Sequence, residues 1–286
     1  MRELLRCPPA GLGLLAVGGK DARRFLHAQT TQRIDDLPPS GTRLAAWLNA
    51  KGRVLALFDV IPDQDQFLLL MPADLLDTVV AGFSRYQLRD AVTFQSDTRR
   101  ATVLVGDSSS WLAGRGIDLP DAGVARIPAM LFARLSPRLV IAIGDDDLAA
   151  AGLADVSPGF AVDVEREWIR MGRPAIPASL SGRYIPQMLN LDLLEAISFT
   201  KGCYPGQEIV ARSHHLGEVK RRLRSFTATP GRVPSPGEPI VDASGSTVGD
   251  VNRAAVEGQS IALLAVVPVD AAAGTLSLRA DGRAIT

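Results

Sequence analysis

The chain has 286 residues, 47% of them hydrophobic, which is enough to build a large core and favours two or three domains. Its 31 basic and 31 acidic residues balance, so no overall charge steers it to nucleic acid or to an anionic membrane. The apolar runs are too short to span a bilayer, and two distant cysteines, Cys7 and Cys203, argue against a disulfide framework or a self-contained metal site.

The N-terminal region resembles a signal peptide only in part. Ala10–Gly19 is apolar and follows two arginines, but Pro8 and Pro9 precede it and no small-residue cleavage site follows. We therefore interpret Leu12–Val17 as the first strand of the fold and expect a cytoplasmic protein.

Hydrophobic periodicity predicts that helices and strands alternate over the next part of the chain. Gly19–Gln29 is predicted to be a helix with one apolar face. Two strands then flank the turn Asn49–Gly52, whose glycine accepts a positive φ. Pro72 is predicted to open a second helix at its first position. The strands predicted in this region are Arg43–Leu48, Arg53–Ile61, Gln66–Met71, Ala91–Gln95 and Ala101–Val105.

The middle of the chain continues the pattern. Val124–Leu135 and Leu139–Ile143 predict strands, and Asp145–Ala151 predicts a short helix. Ser157 is predicted to cap a longer helix that runs to about Met171. Because helices cross over mainly antiparallel strands, this order predicts an α+β fold.

The C-terminal part changes character. Short β-rich runs are separated by proline and glycine turns, which is typical of a small barrel or sandwich. We place the domain boundary near His215–Gly217, with one domain over residues 1–215 and a β-barrel over 216–286. The predicted strands are Leu223–Ala228, Thr247–Asn252, Ile261–Val267 and Thr275–Arg279.

The densest polar and glycine-rich segment is Phe199–Arg212, which reads F-T-K-G-C-Y-P-G-Q-E-I-V-A-R. Gly202 and Gly206 allow the backbone to turn sharply and to approach a ligand. Cys203 lies two residues from Lys201 on this turn, which favours a reactive thiolate. The alternative is that Cys203 is a small buried hydrophobic residue.

A helix is expected to follow this turn. Gln207 and Glu208 would open it, since an acid in the first turn interacts favourably with the helix dipole. We expect it to end near His214, with Ile209 and Val210 turned inward.

The sequence K-G-C-Y-P-G-Q-E resembles the K-G-C-Y-x-G-Q-E signature of the YgfZ/GcvT-like folate-binding family, relatives of the glycine-cleavage aminomethyltransferase. Gln29–Thr31, Leu48–Arg53 and Ile185–Asp192 resemble three further segments of that family. The resemblance implies a three-module ring, with two ferredoxin-like α+β modules around a central hole that holds a tetrahydrofolate, and a small C-terminal β-barrel.

The resemblance also implies a site. Cys203 and Lys201 are its candidate catalytic residues, and it holds no metal. The candidate folate-binding residues are Asn49, Lys51, Trp168, Gln187, Asn190, Tyr204, Gln207, Glu208 and Arg212.

Each polar candidate has a structural alternative. Asn49 and Asn190 could only satisfy turns, Gln187 could cap loop backbone, and Lys51 could be solvated at a hairpin tip. Trp168 could stack on a pterin ring, although a helix tryptophan is more often part of a core.

The chain departs from the aminomethyltransferases at their pair of aspartates. Ala56 and Leu57 stand at those positions, and the nearest acid is Asp59. Two residues along a strand shift a side chain by about 6–7 Å, so Asp59 could not replace the missing carboxylate.

A second departure concerns the acid expected to hold the pterin. Arg170 stands where many relatives carry a glutamate, and an arginine cannot accept hydrogen bonds from pterin N–H groups. Glu165 or Glu195 would have to take its place.

The resemblance thus predicts a folate-binding accessory protein that supports synthesis or repair of iron–sulphur clusters, including those of tRNA-modifying enzymes. Its expected partners are iron–sulphur enzymes or assembly proteins, with no membrane and no direct nucleic acid. The alternatives are a folate-dependent aminomethyltransferase and a scaffold without a small ligand.

Two rival functions have weaker support in the sequence. A cysteine hydrolase would need a histidine, but His214 and His215 lie about three helical turns, roughly 16 Å, from Cys203, and no pattern links His27 to it. Lys220, Arg222 and Arg224 would share one face of a strand and contact phosphate, or equally a protein partner.

Overall fold

The computed structural model describes residues 3–9, 11–128, 130–144, 152–215, 217–272 and 274–286, and of His215 it describes the main chain. The chain forms two compact units. The first comprises Met1–Ala45, Leu57–Val164 and Thr200–Tyr204, and the second comprises Ala46–Ala56, Glu165–Phe199 and Pro205–Thr286.

Helices and mainly antiparallel strands are mixed along the chain, which confirms the predicted α+β class. The strands are β1 Leu5–Cys7, β2 Leu12–Gly18, β3 Arg43–Leu48, β4 Val54–Asp63, β5 Gln66–Pro72, β6 Thr93–Ser96, β7 Arg100–Val105, β8 Val124–Ile127, β9 Met130–Ser136, β10 Leu139–Gly144, β11 Ser157–Pro158, β12 Arg221–Ala228, β13 Pro239–Val241, β14 Thr247–Glu257, β15 Ser260–Pro268, β16 Leu276–Leu278 and β17 Ala284–Ile285. The α-helices are α1 Ala22–Gln29, α2 Leu76–Tyr86, α3 Ser109–Ala113, α4 Ala161–Arg170 and α5 Gln207–His215. Short 3-10 helices lie at Ala73–Leu75, Leu153–Asp155, Ala178–Leu180 and Pro186–Leu189.

A five-stranded sheet has the order β3-β4-β5-β2-β6, and its strands β5, β2 and β6 form one core of the first unit. Ala22, Phe25 and Leu26 of α1 are buried, which confirms the apolar face expected for this helix. The ring of Phe25 meets that of Phe83 from α2 nearly edge-on, at 5.4 Å between centroids. This aromatic contact joins the two helices.

A six-stranded sheet with the order β11-β1-β7-β10-β9-β8 forms the other core of the first unit. Its central strands bury a row of apolar side chains that includes Leu104, Phe132 and Val140. The segment predicted as one strand, Val124–Leu135, is instead the hairpin β8–β9, with Val124 opposite Ala133. Pro128 follows β8 and cannot donate to a strand ladder, which explains the break.

The six C-terminal strands close into a barrel in the order β12-β15-β14-β13-β16-β17. Phe226, Leu263 and Val267 are among the apolar side chains that fill it. The predicted barrel is therefore confirmed. Periodicity did not reveal β13 and β17, because three and two residues are too few to show an alternation.

Two predicted helix starts are wrong. Pro72 ends β5, and a 3-10 turn at Ala73–Leu75 precedes α2. Ser157 caps no helix: it lies in β11, opposite Leu5, and its hydroxyl donates to the Glu3 carboxylate. These pairings come from distant parts of the chain, so the local Ser-Pro pattern could not indicate them.

Two other predictions fall on residues that the structure does not describe, namely the helix over Asp145–Ala151 and the centre of the domain boundary at Leu216. Among the described residues, none of the helices combines the length and the apolar character needed to cross a bilayer.

Candidate functional site

The first unit contains the segment Thr200–Tyr204, which we call the thiol turn. Lys201 is only 8% exposed. Its ammonium donates to the main-chain oxygens of His27 and of Thr30, the latter at 2.6 Å. These carbonyls end helix α1 and have no partner within the helix, so a cation is favourable there. Lys201 therefore anchors the thiol turn to α1.

The surroundings of Lys201 shift its titration. Burial lowers the pKa of Lys201 to about 8, the carboxylate of Asp35 raises it, and Arg33 lowers it further. The ammonium also lies 4.9 Å from the ring centroid of Tyr204. Burial raises the pKa of Tyr204 to about 12. Tyr204 thus covers the anchor and keeps its phenol protonated at neutral pH.

The two cysteines have opposite environments. Cys203 is exposed and Cys7 is buried in β1. Burial, together with the carboxylate of Asp163, raises the pKa of Cys7 to about 11. Cys7 therefore stays an inert thiol at neutral pH, whereas Cys203 is open to solvent and to reagents.

One further side chain donates to the thiol turn, and the ring of His27 lies near it. Arg33 donates to the carbonyl and the hydroxyl oxygen of Thr200, at 3.1 Å each. A methyl group added at Gly202 would lie 4.0 Å from Nε2 of His27. No spacing or motif in the sequence could indicate His27, because 174 residues separate it from Lys201, the residue to which its carbonyl is bonded.

In the second unit, two tight turns pack together through glycines. A methyl group added at Gly206 would lie 2.5 Å from the carbonyl oxygen of Asn49 and 2.8 Å from Cα of Gly52. One added at Gly52 would lie 2.8 Å from Cβ of Ile209. Both glycines have positive φ, +67° at Gly52 and +77° at Gly206. We call this the glycine contact; it admits no side chain on either partner.

The turn before Gly52 is held by Asn49. Its side-chain oxygen accepts from the main-chain N–H groups of Lys51 and Arg53, at 2.9 and 3.0 Å. This is the turn-stabilising role that the sequence left open for Asn49. Lys51 itself is exposed, so its ammonium is available to a ligand.

Helix α5 presents its polar candidates on one side. Glu208 and Arg212 are exposed and Gln207 is half-buried, while Val210 is buried. Ile209 is 36% exposed, so the expectation that it turns fully inward is wrong. It instead covers Gly52.

Gln187 and Asn190 connect the segment that contains the 3-10 helix Pro186–Leu189 to α5 and to the barrel strand β12. The amide of Gln187 is buried and donates to the carbonyl of Val210 at 2.8 Å. Asn190 has positive φ, donates to Leu223 of β12 at 2.8 Å, and accepts from Arg222 at 3.2 Å.

A bidentate ion pair completes this arrangement. Arg222 donates to both carboxylate oxygens of Asp192, at 3.0 and 2.9 Å, and to the carbonyl of Gln187 at 3.2 Å. We call Gln187, Asn190, Asp192 and Arg222 the barrel joint. The amide of Asn190 is engaged within it, whereas the buried side-chain oxygen of Gln187 has no hydrogen-bond partner among the described residues.

Trp168 lies inside the second unit, 3% exposed. The guanidinium groups of Arg173 and Arg253 lie 4.9 and 5.7 Å from its ring centroid. Burial lowers the pKa of Arg253, and its ion pair with Glu165 at 2.6 Å counteracts that effect. Trp168 is thus the centre of a cation–π cluster.

The structure also shows the surroundings of the positions where the family resemblance leads one to expect acids, namely Arg170, Ala56 and Leu57. Arg170 pairs with Glu167 at 3.4 Å and with Glu257, and Glu165 is engaged by Arg253. Glu195 is exposed. Ala56 and Leu57 are buried apolar side chains, and Asp59 is 4% exposed. The described residues contain no cluster of histidine, cysteine and acidic side chains that could hold a metal ion.

Comparison with known proteins identifies relatives of this chain, although no family model matches it. Three relatives carry the name tRNA-modifying protein YgfZ. That of Colwellia psychrerythraea is 31% identical over 224 residues, covering 74% of this chain and 68% of the relative. That of Serratia proteamaculans is 31% identical over 244 residues, covering 79% and 72%. That of Escherichia coli O157:H7 is 30% identical over 239 residues, covering 79% and 73%.

Among solved structures, the aminomethyltransferase T of the glycine cleavage system from Bartonella henselae matches 99% of this chain and 84% of its own, with a TM-score of 0.76 at 17% identity. At that identity the match shows the fold alone, and it confirms the predicted aminomethyltransferase-like architecture. The 30–31% identity with the three relatives named YgfZ, over most of both chains, shows the family, as the signature predicted. The chain belongs to the YgfZ family.

Proposed function

We propose that the protein is a cytoplasmic folate-binding accessory factor that supports synthesis or repair of iron–sulphur clusters, including those of tRNA-modifying enzymes. The glycine contact carries this proposal. It holds the Asn49–Gly52 turn against the start of α5, so that Lys51 and Glu208 belong to one preorganised set of exposed groups. The relatives named for tRNA modification agree with a role in that process.

The exposed groups of the second unit suit a tetrahydrofolate. The carboxylate of Glu208 accepts hydrogen bonds, as the N–H groups of a pterin require. Lys51 and Arg212 are cations that suit the carboxylates of a glutamyl tail. The side-chain N–H groups of Gln187 and Asn190 donate to Val210 of α5 and to Leu223 of β12, so we assign these two residues to holding α5 and β12 in place rather than to ligand contact.

The apolar residues at the aspartate positions favour binding without transfer. Ala56 and Leu57 offer no carboxylate, and Asp59 is almost fully buried. A proton acceptor for aminomethyl transfer would have to lie within hydrogen-bond reach of the reacting nitrogen. We therefore assign to the bound folate a role other than aminomethyl transfer. In that role it acts together with the exposed thiol of Cys203 in supporting iron–sulphur proteins.

The basic residues of β12 support protein partners rather than direct RNA binding. Arg222 is held by Asp192, and Arg224 donates to the carbonyl of Ala271 at 2.7 Å. Lys220 and Arg221 stay exposed at the start of the strand. Two exposed cations form too small a patch for tight phosphate binding.

Calorimetry with tetrahydrofolate tests the proposal. We expect a binding heat for the wild type and an affinity about tenfold lower for Glu208→Gln and for Lys51→Ala, because each loses one charge-assisted contact. Lys220→Ala is the matched control, since it removes an exposed lysine outside the proposed site. A wild type that gives no heat would leave a scaffold as the better description.

Two further assays separate the remaining alternatives. Incubation with an aminomethyl donor and tetrahydrofolate should give no transfer; measurable turnover would make the protein an enzyme. In cells, Cys203→Ser should lower the activity of iron–sulphur enzymes. Unchanged activity would remove the thiol from the proposal.

A further inference from the structure

An arginine lies at a core position of the six-stranded sheet. Met130, Phe132 and Arg134 alternate along β9, so their side chains share one face of the sheet. The first two are buried in the apolar core on that face. Arg134 is only 6% exposed. A guanidinium buried where the alternation places apolar side chains is costly, and it needs a compensating interaction.

The hydrogen bonds of Arg134 leave most of that cost uncompensated. Its Nε–H donates to the carbonyl of Leu119 at 3.3 Å. This is the single hydrogen bond that its guanidinium makes to the part of the chain that the structure describes, and no acid there lies within ion-pair distance. The four N–H groups on the two terminal nitrogens are therefore available to a ligand. Since buried charges in proteins are normally paired, these groups point to an anion that is not part of the chain.

Arg134 lines an open cavity in the first unit. The cavity has a volume of about 570 Å³, which suits a small molecule. Leu119, Pro120 and Pro137 supply apolar surface to it, and Arg138 supplies a second guanidinium. Arg138 is half-buried in the turn between β9 and β10. The cavity thus combines two cations with an apolar wall.

Two acids limit the charge that a ligand can carry. Asp107 and Asp121 also line the cavity, and both are exposed. Oδ1 of Asp107 accepts from the main-chain N–H of Ser109 at 3.0 Å. Its bonds to Ser109 lower the pKa of Asp107, and the charges of Arg134 and Arg138 lower it further, so this carboxylate is ionised at neutral pH. Because two acids balance two arginines, a singly charged anion is favoured over a dianion.

We propose that this cavity binds the carboxylate of a small organic acid and that Arg134 holds it. A guanidinium donates to both oxygens of a carboxylate through two parallel N–H bonds, which fixes the ligand's orientation. The organic part of the acid lies against Leu119, Pro120 and Pro137. The inference goes beyond the proposed function, because it concerns the first unit and uses none of the residues that we assign to folate.

Binding can be measured at Arg134 itself. The Nε–H resonance of Arg134 is assigned through the bonds of its side chain in heteronuclear NMR spectra of the full chain, and it is then followed during titration with benzoate. Sodium chloride keeps the ionic strength constant, so that screening of charges does not change during the titration. We expect a saturable shift of this resonance that fits a single site.

Two other probes define the class of ligand. Benzamide has the shape of benzoate without its charge, and it should give no saturable shift because it lacks the two anionic acceptors. Inorganic phosphate is mostly a dianion at neutral pH, and the two acids should make it bind at least about tenfold more weakly than benzoate. Benzamide that binds like benzoate, or phosphate that binds as tightly, would show that the carboxylate assignment is wrong.

A conservative variant tests the contribution of the guanidinium. Arg134→Lys keeps the positive charge and removes the planar pair of donors, so the affinity for benzoate, measured from main-chain amide shifts, should fall about tenfold. Arg85→Lys makes the same chemical change at an exposed arginine of α2 and should leave the affinity unchanged. The melting temperature of each variant shows whether it is folded. The wild-type titrations decide the question even if Arg134→Lys does not fold.

Two results would overturn the proposal. One is a wild-type resonance of Arg134 that drifts linearly with benzoate and never saturates. The other is a folded Arg134→Lys variant that binds benzoate with the wild-type affinity, which would place the binding elsewhere. These readouts need no folate, so a failure to bind folate in calorimetry would leave this inference untouched.

Discussion

The two halves of the signature segment are held by different kinds of interaction. In the thiol turn, a buried ammonium bonds to the carbonyls that end a helix, so the attachment is electrostatic and titrates. At the glycine contact, main chain packs directly on main chain, so the attachment is steric and independent of pH. Changes of charge should therefore act on the first, and changes of size on the second.

The largest effect is expected where size is changed at the glycine contact. Gly206→Ala would place a methyl group 2.5 Å from the carbonyl of Asn49. We expect the free energy of unfolding to fall by about 3–4 kcal/mol, the sum of this overlap and of the strain at positive φ. Urea denaturation measures it.

Gly245→Ala is the matched control for that substitution. Gly245 has a similar φ of +81°, but a methyl group there would meet nothing within 4 Å. We expect it to cost about 1 kcal/mol, the conformational part alone. Equal losses for Gly206→Ala and Gly245→Ala would mean that the main-chain packing contributes nothing.

The next effect concerns charge in the thiol turn. Burial lowers the pKa of Lys201 to about 8, below the value near 10.5 that it has when unfolded. Between these values the unfolded chain binds more protons than the folded one, so this group adds stability as the pH rises. The wild type should gain up to about 3 kcal/mol relative to Lys201→Met between pH 7 and 10.5.

Lys220→Met provides the control for the pH series, since that lysine is exposed. Its free energy of unfolding should follow the wild-type curve at each pH. A difference between wild type and Lys201→Met that stays constant with pH would show that the ammonium of Lys201 is not desolvated.

The barrel joint offers a third kind of attachment, made of neutral and ionic hydrogen bonds within the second unit. Asn190→Ala removes the bonds to Leu223 and Arg222 and strains the positive φ, so we expect a loss of about 2 kcal/mol. Asn190→Gly tolerates that φ and should lose about 1 kcal/mol. If Asn190→Gly were as stable as the wild type, the two side-chain hydrogen bonds of Asn190 would contribute nothing to the free energy of unfolding.

These comparisons also show what a sequence can reveal. The positive φ at Gly52 follows from the local N-A-K-G pattern, and the barrel follows from the spacing of its turns. The signature indicated that Lys201 matters, but not that it caps a helix 171 residues earlier. Such partners depend on tertiary packing, which local patterns do not encode. The structural roles of Asn49 and Gln187 were left open for the same reason.

The smallest effect is expected at the surface of the thiol turn. Arg33 donates to Thr200 at 3.1 Å, but 36% of its side chain is exposed. Water replaces most of what Arg33→Gln removes, so the free energy of unfolding should fall by less than about 1 kcal/mol and keep the wild-type pH dependence. If Arg33→Gln lost as much free energy of unfolding as Lys201→Met, the exposed contact between Arg33 and Thr200 would be what stabilises the thiol turn. The thiol of Cys203 would then depend on a solvent-exposed contact, and salt that screens Arg33 would alter its alkylation rate.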